Sequence, residues 1–97
     1  MLKIPYASKS VMTDGNGSLH LDYILLVSEV SLSDSYTLEC YGIGIHCYRD
    51  FAEAAEIAEI ENISFSSLEI DRMLMVLSEG TVTPTTVYQI LDDMLAI

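Results

Sequence analysis

From Leu19 onward apolar residues fall on alternate positions: Leu19, Leu21, Tyr23, Leu25 and Val27 share one parity, while His20, Asp22, Ile24, Leu26 and Ser28 share the other. A period of two is that of a β-strand, so the run predicts a strand with one face almost wholly apolar and the other mixed. A second strand is expected from Tyr36 to Tyr48, where Tyr41, Ile43, Ile45 and Cys47 share a parity. The polar run Ser31-Leu32-Ser33-Asp34-Ser35 between them reads as a hairpin loop. A loop centred on Ser33 sets Tyr23 opposite Ile43 and Leu21 opposite Ile45, which joins the two apolar faces into one. Upstream, Asp14-Gly15-Asn16-Gly17 gathers residues tolerant of positive φ and reads as a hairpin turn after Val11-Met12-Thr13.

Residues 50–63 carry two signals. The Ala and Glu between Asp50 and Glu59 favour a helix, yet Ile57, Ile60 and Ile63 recur at every third position, which suits neither a clean helix nor a strict strand. A strand over Glu56 to Ile63 after a turn or short helical stretch is the preferred reading, and one short helix is the alternative. Further on, Ser66 and Glu69 have capping-box spacing, and Ile70, Met73, Leu74 and Leu77 follow at helical intervals. Gly80 suits the C-terminal cap of that helix. Thr83 as N-cap and Pro84 at the first helical position open a second helix, with Val87, Ile90, Leu91, Met94 and Leu95 as its apolar stripe. The expected fold is α+β: an antiparallel β-meander of three to four strands followed by two short C-terminal helices packed on one face.

Composition adds constraints. The 97 residues are expected to form one small acidic domain, 1–97, with fifteen Asp and Glu against four Lys and Arg and a formal net charge of −11. A hydrophobic fraction of 51% and a mean hydropathy of +0.36 are too high for a disordered acidic chain. With Lys3, Lys9, Arg49 and Arg72 as the only Lys or Arg, no cationic stripe is available for phosphates or anionic lipid, so neither nucleic acid nor membrane is expected as a partner. The N-terminus lacks the apolar region of a signal peptide and no stretch of about 20 apolar residues occurs, so a cytoplasmic location is expected. Apolar clusters such as Ile24-Leu25-Leu26-Val27 and Met73-Leu74-Met75-Val76-Leu77 put apolar atoms on more than one face. That favours a homodimer or other homo-oligomer, and the acidity would steer the chain toward a basic protein partner.

Candidate chemistry is sparse. Cys40 and Cys47 are seven positions apart on one strand, roughly 23 Å at about 3.3 Å per residue, and are read as two free thiols. His46 neighbours Cys47 but points to the other face. The hairpin register sets His20 opposite His46 with Asp22 on the same face, a possible metal site of two imidazoles and a carboxylate. Ser66 and Ser67 fit caps better than nucleophiles. Gly15-Asn16-Gly17 fits a turn, and Gly42-Ile43-Gly44 marks a place where a backbone, a large side chain or a partner approaches the sheet. Glu53, Glu56, Glu59 and Glu61 read as a solvated acidic face. On the first helix Leu68, Met75 and Val76 fall off the inward stripe and, with Ile24 and Leu26 on the mixed strand face, form the candidate interface.

From Leu21 onward the chain resembles a family of short uncharacterised bacterial proteins, a domain of unknown function. The likeness lies in Tyr23-Ile24-Leu25-Leu26 with Glu29-Val30, in Tyr41-Gly42-Ile43-Gly44-Ile45, in Ile60-Glu61-Asn62-Ile63-Ser64, in Glu79-Gly80-Thr81-Val82-Thr83-Pro84, and in Leu91-Asp92-Asp93-Met94-Leu95. Gly44 stands where the family carries an acidic residue. The resemblance implies a strand around Ile57 to Ile63 and brings no activity, cofactor or catalytic residue. The expectation is a non-enzymatic protein-binding or self-associating domain without cofactor. The alternative is a small-ligand or metal-binding module on the His20, Asp22 and His46 face.

Overall fold

The alternating runs become strands of unusual length. In the computed structural model, which describes residues 1–12, 17–49 and 55–95, β1 (Leu2–Met12), β2 (Ser18–Ser33), β3 (Tyr36–Arg49) and β4 (Ala55–Ser64) form one antiparallel sheet in the order β1-β2-β3-β4. Two helices follow, α1 (Ser67–Glu79) and α2 (Val87–Leu95). The meander with two C-terminal helices is the architecture that the pattern predicts, and the segment of mixed signals is a strand. The turn expected at Asp14–Gly17 and the stretch before Glu56 fall largely on residues 13–16 and 50–54, outside the described residues.

The parity that predicts the strands also selects the core. Leu21, Tyr23, Ile43, Ile45, Cys47 and Ala58 line one face, and Ile70, Met73, Leu74 and Leu77 of α1 pack on it with Val82, Val87 and Leu91. Met94 and Leu95, expected on the apolar stripe of α2, remain exposed at its end. Two polar ties fasten the helices to the sheet. The Tyr23 hydroxyl, buried in the core, donates to the Val82 carbonyl at 2.9 Å. The Lys9 ammonium donates to the Ser78 carbonyl at 2.7 Å and to the Thr81 hydroxyl at 2.8 Å. α1 has no basic residue in its last turn, so Lys9 supplies from β1 the cation that the C-terminal end of a helix favours.

Both helix boundaries show local detail beyond the pattern. Ser66 caps α1 as expected, accepting from the Glu69 amide, but the return bond runs through Ser64: the Ser66 amide donates to Ser64 Oγ, which donates to Glu69 Oε2. At the other end Gly80 keeps a right-handed φ of −80°, and Thr81, at φ 53°, takes the left-handed position. The Val82 amide reaches the Leu77 carbonyl and the Thr81 amide that of Ser78, the paired bonds of a Schellman close. α2 begins at Val87, three residues later than the Pro84 start expected, because a turn over Pro84 to Thr86 intervenes; the Thr86 and Val87 amides both donate to the Thr83 carbonyl.

The β2–β3 register differs from the expected one by two positions. A tight turn at Asp34–Ser35 replaces the longer loop, Ser33 pairs with Tyr36, and Leu32 is an extra residue before it. Tyr23 therefore faces Ile45, and Leu21 faces Cys47. A slip of two keeps every side chain on its own face, so the hydrophobic pattern is equally satisfied by either register.

Candidate functional site

The outer face of the sheet, away from the helices, carries His20, Asp22 and His46. In the observed register His20 stands opposite Tyr48, with ring centroids 5.2 Å apart in a stacked arrangement, and Asp22 stands opposite His46. The two histidines expected to face each other are thus displaced along the strands. Neighbouring side chains engage all three residues. Ser10 Oγ lies 2.8 Å from His20 Nδ1, Ser8 donates to Asp22 Oδ1 at 2.9 Å, and His46 Nε2 lies 3.0 Å from Glu59 Oε2. Among the described residues no group of three or more His, Cys, Asp and Glu is placed to hold a metal ion.

What the face does assemble is a bracket across the sheet. Lys3 on β1 reaches Glu59 on β4 at 2.8 Å, and His46 shares that carboxylate. The hydrogen bonds from Lys3 and then from His46 hold the Glu59 carboxyl below the usual glutamate range. Lys3 thus ties one edge strand to the other, and β3 between them presents no side chain at Gly42 or Gly44. The same gap explains Leu26. A Cβ at Gly44 would stand in ordinary contact with Ile24 Cβ at 3.4 Å and with Leu26 Cδ2 and Glu59 Cγ at 3.6 Å, so these side chains close over the glycine. Leu26 is 0% exposed and Ile24 half-buried, which corrects the expectation that Leu26 belongs to an interface. Glycines at alternate positions opposite two apolar residues were the sequence signal for this seat.

Gly42 serves a backbone approach. Between Ile43↔Ile60 and Tyr41↔Ser64, β4 carries Glu61, Asn62 and Ile63 against the single Gly42. Asn62 takes the left-handed conformation at φ 56°, and a Cβ on Gly42 would collide with the Ile60 carbonyl oxygen and meet Glu61 Cα at 2.9 Å. The acids of β4 do not form one solvated face. Glu56 pairs with Cys47 and Glu59 with Gly44, which puts them on opposite sides, and Glu59 is the paired one; Glu53 lies outside the described residues.

Both cysteines are free and buried. Burial pushes the Cys47 thiol up, the charge of Glu56 adds to the effect, and Arg49 opposes it. This favours the thiol over the nucleophilic thiolate. Of the remaining candidates, Leu68, Met75 and Val76 are 61%, 45% and 47% exposed on α1. Leu68 and Val76 border a groove with Ser66, Glu69, Arg72, Met73, Met94 and Leu95.

The molecule is thus an α+β domain of four meandering strands and two terminal helices, with a bracketed polar outer face and an uncovered helical groove. It belongs to the Family of unknown function (DUF6514), whose model matches residues 2–97. No curated protein and no solved structure matches the chain. Among the described residues no helix is long and apolar enough to cross a membrane.

Proposed function

We propose that this chain is a small non-enzymatic protein-binding domain that works as a homo-oligomer, in the cytoplasm. The observation that carries the reading is the exposed stripe of Leu68, Met75 and Val76 on α1, flanked by Met94 and Leu95 of α2. Met and Arg are enriched where proteins meet, and Lys and Glu depleted. Arg72 sits in the middle of this stripe and, among the described residues, has no ion-pair partner. In a chain with fifteen Asp and Glu, an unpaired guanidinium amid apolar side chains fits a partner that brings an apolar segment and a carboxylate. Methionine side chains, unbranched and flexible, can re-pack around such a segment.

The test pairs light scattering after size exclusion with affinity capture from the source cell, using the wild-type chain and Met75→Glu. The expected result is a mass above that of one chain for the wild type, and captured proteins that Met75→Glu loses while its melting is retained. A strict monomer at every concentration, together with a Met75→Glu chain unchanged in solubility, melting and captured proteins, overturns the reading.

A further inference from the structure

The pairing of β2 and β3 outlasts that of their neighbours. β1 ends its ladder at Leu2↔Val27 and β4 at Tyr41↔Ser64, whereas β2 and β3 continue through Ser28↔Cys40, Glu29↔Glu39 and Val30↔Leu38 to the turn at Asp34–Ser35. Beyond Val27 and Tyr41 the sheet is therefore a two-stranded arm, about 20 Å long for six residues at about 3.3 Å each. An isolated two-stranded ribbon is marginal in water.

The arm also reverses the polarity of the sheet. On the helical side it shows Glu29 opposite Glu39, a like-charge pair that disfavours contact there, with Ser31 and Thr37 beyond. On the outer side it shows Val30 paired with Leu38 and Tyr36 paired with Ser33, with Leu32 as the extra residue at the tip; Leu32, Tyr36 and Leu38 are 56%, 59% and 37% exposed. This outer side carries no charged side chain between Ser28 and Ser33 or between Tyr36 and Cys40.

The whole molecule reflects the arm. Its radius of gyration is 14.9 Å and its extents are 55 × 30 × 17 Å, against about 12.5 Å expected for a compact chain of 97 residues. Its accessible surface is 6366 Å², roughly 900 Å² more than the approximately 5,500 Å² of a compact monomer of this mass. A standard interface removes about 800 Å² from each partner. Part of that surplus lies on the arm, where Leu32, Tyr36 and Leu38 are exposed and a second copy would cover them.

We propose that a second copy of this chain sits on the outer face of the arm, so that Val30, Leu32, Tyr36 and Leu38 of two arms stack face to face about a twofold axis. The contact is isologous and self-complementary, as closed dimers require. On it two acidic chains approach without setting carboxylates opposite each other. The inference rests on the homo-oligomer reading above and names where the copies meet. Stacking the arms leaves the α1 groove of each copy open to another protein.

Sedimentation equilibrium on the full chain tests it with three variants, each checked by circular dichroism and melting. The wild type is expected at twice the mass of one chain. Leu38→Glu on the outer face is expected to weaken the dimer by more than about tenfold, because a carboxylate is then buried without a partner. Thr37→Glu, one position along on the other face, and Met75→Glu on α1 are expected to stay dimeric. If Met75→Glu dissociates the chain and Leu38→Glu does not, the arm contact is overturned and self-association stands. If Leu38→Glu and Thr37→Glu weaken it equally, the effect is loss of the ribbon rather than of its outer face, and the proposal fails. A wild-type monomer at all concentrations overturns the arm contact and the self-association on which it rests.

Discussion

At Gly42 the sequence shows only a missing side chain, and the structure shows what takes its place: the β4 backbone at Ile60 and Glu61. Neither can move without breaking the ladder, so Gly42→Ala is expected to cost about 3 kcal/mol or more, read by chemical denaturation. Gly80 looks equally special in the sequence, yet its φ is −80° and a Cβ there meets its nearest neighbour, the Val76 carbonyl, at 3.2 Å. Gly80→Ala is expected to change stability by no more than about 1 kcal/mol in the same measurement. Tyr23 was legible as a core residue from its parity, but its hydrogen bond to Val82, far along the chain, was not. Burial first, and the neighbouring Cys47 second, push its phenol from 10.0 up to about 12. A raised value in the folded state means that the unfolded chain ionises first. The stability tied to the neutral phenol is therefore complete below pH 10 and is lost as pH rises from 10 towards 12. Tyr23→Phe is expected to cost about 1 kcal/mol at pH 7 and to flatten that alkaline fall, as followed by denaturant midpoints across pH.

The existence of β2, β3, α1 and α2 was readable from period and caps, while their partners were set by residues elsewhere. The stripe Ile70, Met73, Leu74 and Leu77 predicts α1 and is the set it buries. The end of α1, by contrast, depends on Lys9 across the core and on Thr81 in a conformation that β-branched residues rarely adopt. Lys9→Met is expected to cost about 1–2 kcal/mol, through loss of a charged hydrogen bond and of the cation at the helix end. Thermal melting checks the magnitude, and faster hydrogen exchange at the Thr81 and Val82 amides locates it. β4 was ambiguous because three residues beside Gly42 break its alternation. The bulge displaces Ile63, and Ile57, paired with His46 and exposed, stands on the face opposite Ile60, so the three isoleucines follow no single period. The proposed metal set of His20, Asp22 and His46 failed to converge for a related reason: parity was right, but the turn at Asp34–Ser35 moved His20 to Tyr48 and brought Asp22 opposite His46.

For the whole molecule, charge and shape pull against each other. Each copy carries a formal net charge of −11, so association of two copies is opposed over distances comparable to the Debye length, about 10 Å at 0.1 M salt. If the copies meet on the uncharged face of the arm, raising sodium chloride from about 0.02 to 0.5 M is expected to tighten the dimer, as measured by sedimentation. A contact held by Arg72 against a carboxylate would weaken instead. The sequence by itself determined the fold class, the buried side of β2 and β3, and the positions by which α1 enters the core. These follow from periods of 2 and 3.6 that depend only on neighbours along the chain. Only the tertiary structure decided the register of β2 on β3, the Lys3–Glu59–His46 bracket, the burial of Leu26 over the glycines and the uncovered arm beyond Val27 and Tyr41. A two-residue slip leaves the hydrophobic pattern unchanged, so turn geometry and contacts between distant residues, which no local period encodes, had to select among the alternatives.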